Sequence, residues 1–333
     1  MFDRKTLLRV AAAVTAVGIV LPSISQAETL KIQAMRVNTG WYFFGATLAK
    51  LLQPKVPAGT NVEVVPKGGG VGNVISVDTG KAQMGLANVS TANWGWAGHP
   101  TVYKGKQYRN IRALAGGLNS VWFVAMVRSE YLKDTGFKTM EEILTSGKPV
   151  RISMKPAGST VPVVADMLFD SLGLDRAAIQ KGGGEFIQVA AKQLPDLVRD
   201  DRTDIYFESA FKGHPSVTQA DQTGKVTFMD LPAASIGKLA KAGLIANPMP
   251  VYFKGQAAPT QAVDFGTLLI ANKDMSDDLA YMITKTVCES KADMVAAHKA
   301  WGNFKPENAW KPENTGVPLH PGAIRYYKER GWM

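Results

Sequence analysis

The stretch "VVPKGGGVGNVISVDTGKAQMGLANVS", residues 64–90, decides how this chain is read. A β-branched run at 61–66 leads into three consecutive glycines, a short helical pattern starts near Val71, and a second strand-like run follows at 83–89. Strand, turn, helix and strand in that order is the unit of an α/β fold with a mainly parallel sheet. The turn itself invites a ligand. Gly68, Gly69, Gly70 and Gly72 allow positive φ and a close backbone approach. The helix beyond them turns unpaired N–H groups and a partial positive charge toward whatever lies in front, which suits a carboxylate or phosphate. Asn73 can add a side-chain amide. The turn is a candidate anion cradle, with a flexible tight turn as the plain alternative. It is neither a P-loop nor the GxGxxG fingerprint, because no GK[ST] follows and Asn73 holds the place of the last glycine.

Working outward, the same alternation continues. "TLKIQAM" (29–35) reads as a strand, and "GATLAKLLQ" puts Phe44, Leu48, Leu51 and Leu52 on one helical face. Strands are predicted at 121–127, 149–154, 203–207, 225–231 and 266–272, and helices at 161–173 and 276–290, the latter capped by Ser276. "VWFVAMV" (121–127) is apolar throughout, as a strand covered on both faces should be. The length favours two lobes over one. In such molecules ligands bind in the crevice at the carboxyl ends of the strands.

A second glycine turn lies in the other half. "MKPAGSTVPVVADMLFDSLG" (154–173) again runs from a strand through a small-residue loop into a helix, and Ser159 or Thr160 can cap that helix while offering a hydroxyl. Two such helix starts, one per lobe, could face each other across a cleft and close on a small anion. At the end of strand 29–35, Trp41 and Tyr42 can wall a pocket while Phe44 belongs to the core. Ser90 and Thr91, after strand 83–89, would line the same rim or cap the next helix.

Composition narrows the function classes. Arg4, Lys5 and Arg9 precede the apolar run 10–21, followed by a small-residue exit at Ser25-Gln26-Ala27: the order of a secretory signal peptide cut after Ala27. That run is short of the roughly 20 residues that span a bilayer. The full chain carries a formal charge of +10, without the Lys/Arg blocks of a nucleic-acid arm. A single cysteine, Cys288, forbids an intramolecular disulfide and reads as a small buried hydrophobe. The four histidines are scattered, no GxSxG elbow stands near a His/Asp pair, and no metal or cofactor signature appears. No catalytic constellation, cofactor or metal is expected.

The order and spacing of several segments resemble the solute receptors of TRAP transporters, in their TAXI branch. The resemblance runs through "NTGWYFFGATLAKLL", "KGGGVGNV", "TGKAQMGLANVS", "MKPAGST", "RDDRTDIYFESAFKGHP", "PVYFKGQ" and, most specifically, "PLHPGAIRYYKERGW". It implies a two-lobed periplasmic binding protein of type II-like fold, with mixed, mainly parallel sheets joined by hinge strands. Lobe I would take residues 28–125 and 264–333, and lobe II residues 126–263. The receptor would pass a small organic anion, a carboxylate, keto acid or amino acid, to a permease driven by an ion gradient. By position, Trp41, Tyr42, Asn73, Ser90, Ser159, Thr160 and Tyr252 fall where the family lines its cleft. Departures matter too. Lys67 to Asn73 lacks the family's serine and brings in a lysine, and Ser90 stands where a carboxylate often follows the third strand, which tilts the ligand away from an α-ammonium. Lys67 and Lys155 could each supply charge. With Gly70, Val71 and Thr91, these residues complete the expected site. The rival readings are a receptor for an ATP-driven importer, a ligand-sensing partner of a membrane kinase and, on the same scaffold, a periplasmic enzyme.

Overall fold

A computed structural model describes residues 29–37 and 39–333; the expected signal peptide lies outside them. The strands are β1 (Thr29–Gln33), β2 (Asn61–Val65), β3 (Met84–Asn88), β4 (Ile111–Ala115), β5 (Trp122–Arg128), β6 (Arg151–Met154), β7 (Glu185–Gln188), β8 (Ile205–Ala210), β9 (Val226–Met229), β10 (Ile245–Ala246), β11 (Val263–Asp264) and β12 (Thr267–Asn272). They form two sheets. The first has the order β2-β1-β3-β12-β4; the second runs β10-β11-β5-β8-β6-β7, with β9 also on β5.

Each sheet has a parallel βαβ core. β1 pairs in parallel with β2 and β3, and β6 with β7 and β8. The strands bordering the crossovers, β12 in the first sheet and β5 and β11 in the second, pair antiparallel with their neighbours. The sheets are therefore mixed, because a chain that returns from the other half enters its sheet in the opposite direction. The glycine stretch forms the predicted unit: β2, the helix Gly70–Asp78, then β3.

The helix Gly40–Leu52 buries Phe44, Leu48 and Leu52 completely and leaves Leu51 half-buried. Fully burying such a side chain stabilises the fold by about 1.5–3 kcal/mol. Phe44 stacks 4.4 Å from the ring of Trp301, tying this helix to the C-terminal segment. The helix Asp277–Glu289 starts at Ser276, whose hydroxyl accepts from Leu279 N at 3.3 Å, and carries Asp277 and Asp278 in its first turn. Cys288 is buried, and burial pushes its thiol up to about 12.

The chain passes between the sheets at 116–121 and 265–266, and the two passages are hydrogen-bonded to each other through Leu118 N to Thr267 O, Thr267 N to Asn119 O and Phe265 N to Val121 O. Asp264 locks them further, accepting from Val121 N and Gly266 N at 2.8 Å each. The expected cuts at 125/126 and 263/264 fall inside β5 and β11, both in the second sheet.

All four histidines, His99, His214, His298 and His320, are held below their ordinary value by burial. A histidine whose folded pKa lies below its unfolded value stays neutral while the unfolded chain takes up a proton. Its presence therefore costs stability as pH falls below about 6.5, by up to about 1.4 kcal/mol per pH unit per group until the folded pKa is reached. The expected result is an unfolding free energy that declines from pH 7.5 to 5. Denaturant melts across that range check it, and a flat profile would contradict the burial of these rings.

Candidate functional site

The carboxyl ends of β1, β3, β6 and β8 converge on one cleft between the sheets. After β6 the chain makes the loop Lys155 to Ser159, and after β8 it continues into Phe211. The two glycine turns face each other there. A Cβ built on Gly69 would lie 2.6 Å from Gly158 O, and one on Gly70 would collide with the Thr160 hydroxyl and Asn88 Oδ1. Thr160 Oγ1 donates to Asn88 Oδ1 at 2.7 Å, a buried bond from one half of the molecule to the other. The Phe211 ring lies against Gly40, where a side chain would strike it. The described conformation is closed.

Two cavities remain in the cleft. The inner one, about 30 Å³, is lined among others by Trp41, Gly70, Asn88, Thr160, Phe211 and His214. It has about the share of liquid volume taken by one water. The outer one, about 390 Å³, is lined among others by Arg36, Pro66, Gly68, Pro156 and Lys192. Met35, Thr39, Lys155 and Ser159 border both. The outer volume lies within the range of small-molecule sites, roughly 300–1,000 Å³.

Lys155 is the charged residue common to both cavities and only 4 % exposed. Its Nζ lies 2.5 Å from Glu208 Oε1 and donates to Ser209 Oγ at 2.9 Å, which leaves its third hydrogen. Glu208 is wholly buried on β8 and also accepts from Ser209 N (2.7 Å) and the Tyr206 hydroxyl (2.8 Å). Burial alone would raise its carboxyl, but the Lys155 ammonium and these donors hold it below the usual range. His214 is pushed down to about 3 by burial, with the nearby Glu208 opposing, so it is neutral. The buried formal charges of the cleft therefore cancel. Partial charge remains: Gly70 and Thr160, the first residues of the helices Gly70–Asp78 and Thr160–Ser171, both line the inner cavity.

Five of the twelve expected residues line the cleft: Trp41, Gly70, Lys155, Ser159 and Thr160. The other seven border neither cavity. Asn73 is the clearest correction. It is fully buried, its Nδ2 donates to Ala34 O (2.6 Å) and Leu86 O (2.8 Å), and its Oδ1 accepts from Gly69 N (3.0 Å), so its amide ties the glycine turn to β1 and β3 and has no hydrogen left for a ligand. Thr91 exchanges hydrogen bonds with Asn88 N and O in a capping arrangement. Ser90 is buried, with its hydroxyl unpartnered. Val71 is half-buried against the core, Lys67 is exposed and Tyr42 is half-buried beside Phe43. Tyr252 packs edge-on against Trp122 at 5.8 Å, under the ammonium of Lys212.

Sequence reasoning missed Arg36, Asn88, Glu208, Ser209, Phe211, His214 and Lys192. One signal was present: a glutamate within the apolar strand "IYFESA" would be a buried charge, and buried charges are paired. Nothing local marked the others.

A profile of the NMT1-like family matches residues 36–331, so the chain belongs to that family. MatC from Rhodopseudomonas palustris, solved with bound malate, shares 14% identity at a TM-score of 0.53, with 92% of this chain and 97% of that one covered. A structure described as a periplasmic transporter gives 14% and 0.52, covering 92% and 94%. One from Bordetella bronchiseptica RB50 gives 14% and 0.50, covering 91% and 89%. At these identities the likeness is one of fold: two α/β halves joined by crossing strands.

Proposed function

We propose that this member of the NMT1-like family is an exported solute-binding receptor that closes on a small organic anion, a carboxylate, and hands it to a membrane permease of the ion-coupled TRAP type. The observation that carries the anion reading is the outer cavity. Its lining includes Arg36, Lys155 and Lys192 and, among the described residues, no acidic one. The two helix N-termini beside it add to the same field. Met35, Pro66 and Pro156 supply apolar walls there, and Ser159 a hydroxyl. MatC, whose fold is similar, was solved holding malate, so this fold can close on an organic acid. Among the described residues no helix is long and apolar enough to cross a membrane, which fits a receptor working outside the bilayer. The TRAP and TAXI assignment rests on the order of the sequence motifs.

Binding that is confined to the folded protein stabilises it by about 2.7 kcal/mol at 100 times the dissociation constant. Ligand-stripped protein screened against mono- and dicarboxylates, keto acids and amino acids is expected to show such a shift with at least one class. A flat screen would end the anion reading. For the permease, uptake into membrane vesicles should follow an imposed ion gradient and ignore ATP; dependence on ATP would transfer the receptor to the other importer class.

A further inference from the structure

We infer that Glu208 sets the charge number of the ligand: by matching Lys155 it leaves the cleft fitted to a single carboxylate and unfavourable to a dianion. The inference rests on the receptor reading above and concerns the ligand class within it. Lys155 and Glu208 are both enclosed, at 5% and 0% side-chain exposure, and lie in direct contact, so a ligand at the inner end of the outer cavity meets no unmatched buried charge. Just beyond that end, Gly70 and Thr160 at the inner cavity turn the positive ends of two helices toward it, about half a charge each, enough for one carboxylate. Arg36 and Lys192 are exposed: they draw anions toward the cleft, but their charges are shared with solvent and salt and do not stand in for a buried cation. A second carboxylate would have to lose its hydration without a buried cation to receive it, a cost that buried charges avoid only by pairing.

Glu208 does not border either cavity. It acts through Lys155, as a positioning residue, and a purely structural role would weaken all ligands alike. A charge role predicts something different. Glu208→Gln keeps the shape and frees one positive charge at Lys155. Every carboxylate then gains, and a dicarboxylate gains twice, so the ratio of affinities moves. For a unit charge several ångströms from the second carboxylate, at an effective dielectric near 20, the move is about tenfold or more.

The experiment is calorimetric titration of the full protein with pairs that differ only in the terminal group: butyrate against succinate, and 2-oxopentanoate against 2-oxoglutarate. Wild type is expected to bind the monocarboxylate of each pair more tightly. Glu208→Gln should shift the ratio about tenfold toward the dicarboxylate, while Glu208→Asp and the doubly neutral Lys155→Met/Glu208→Gln retain the wild-type order. A wild-type preference for dicarboxylates would overturn the inference without any variant. So would an unmoved ratio in a folded Glu208→Gln protein. If wild type binds a carboxylate from the wider screen, these failures fall on the inference alone; if it binds none, the receptor reading fails first and takes the inference with it.

Discussion

Replacing Lys155 with methionine is expected to lower the unfolding free energy at pH 7 by about 3–5 kcal/mol, the cost typical of removing one partner from a buried ion pair. Lys155 and Glu208 are enclosed together, and methionine fills most of the lysine volume without the charge. The loss comes from the carboxylate left behind, and this gives it a pH signature. In the wild type the Glu208 carboxyl is held below its unfolded value, so its contribution is present above pH of about 4.5 and is lost as pH falls through the folded pKa. Without Lys155, burial dominates and raises the folded pKa above the unfolded one. The penalty is then full at high pH and fades on acidification, as Glu208 takes a proton. Denaturant melts should therefore show the gap between wild type and Lys155→Met narrowing from pH 7 toward 5. A second change, Glu208→Leu, should recover most of the loss, since a buried pair replaced by apolar groups is often neutral. A Lys155→Met protein within 1 kcal/mol of wild type at pH 7 would mean that water reaches Glu208 and that the pair is not buried as described.

That pair also shows where the sequence stopped being informative. The fold was legible because it rests on local pattern: the glycine stretch between two apolar strands, the face of Phe44, Leu48 and Leu52, and the capped start of the helix Asp277–Glu289 each announce themselves within a dozen residues. The mixed pairing was less so, because β12 lies between β3 and β4 only after the chain has passed through the other half. The site is harder still, since it is made of strand ends far apart in sequence. Residues on helix starts, Gly70, Ser159 and Thr160, could be placed by local rules. Asn73 could not: its position favoured a ligand, and only the nearness of the Ala34 and Leu86 carbonyls reveals that its amide is committed to the scaffold. Lys155 was visible as a cation, but whether it brings unmatched charge to the cleft depends on Glu208, 53 positions later, on a parallel neighbour strand.

Gly69→Ala is expected to weaken ligand binding by about ten- to a hundredfold while leaving the ligand-free protein as stable as before. Its backbone does not require glycine: at φ of 160° it is extended. Gly68, at φ +100°, is the position where the turn itself requires one. The constraint on Gly69 comes from across the cleft, where an added methyl would lie 2.6 Å from the Gly158 carbonyl oxygen, an atom of the opposing backbone that cannot rotate away. Overpacking of this kind costs typically 1–3 kcal/mol. Under the receptor reading the cost falls only on the closed state, because hinge opening separates the two loops. The unliganded protein relieves the contact by opening, so its melt is unaffected, whereas a ligand that needs closure must bear the whole penalty. Gly72→Ala is the matched control on the same helix: its Cβ would meet nothing within 4 Å, and removing a glycine from a helix adds about 0.5–1 kcal/mol of stability. Calorimetry on both variants, with small-angle scattering to follow closure, separates the outcomes. If Gly69→Ala binds as tightly as wild type, the two glycine turns do not have to touch, and the cleft holds its ligand without the closure described here.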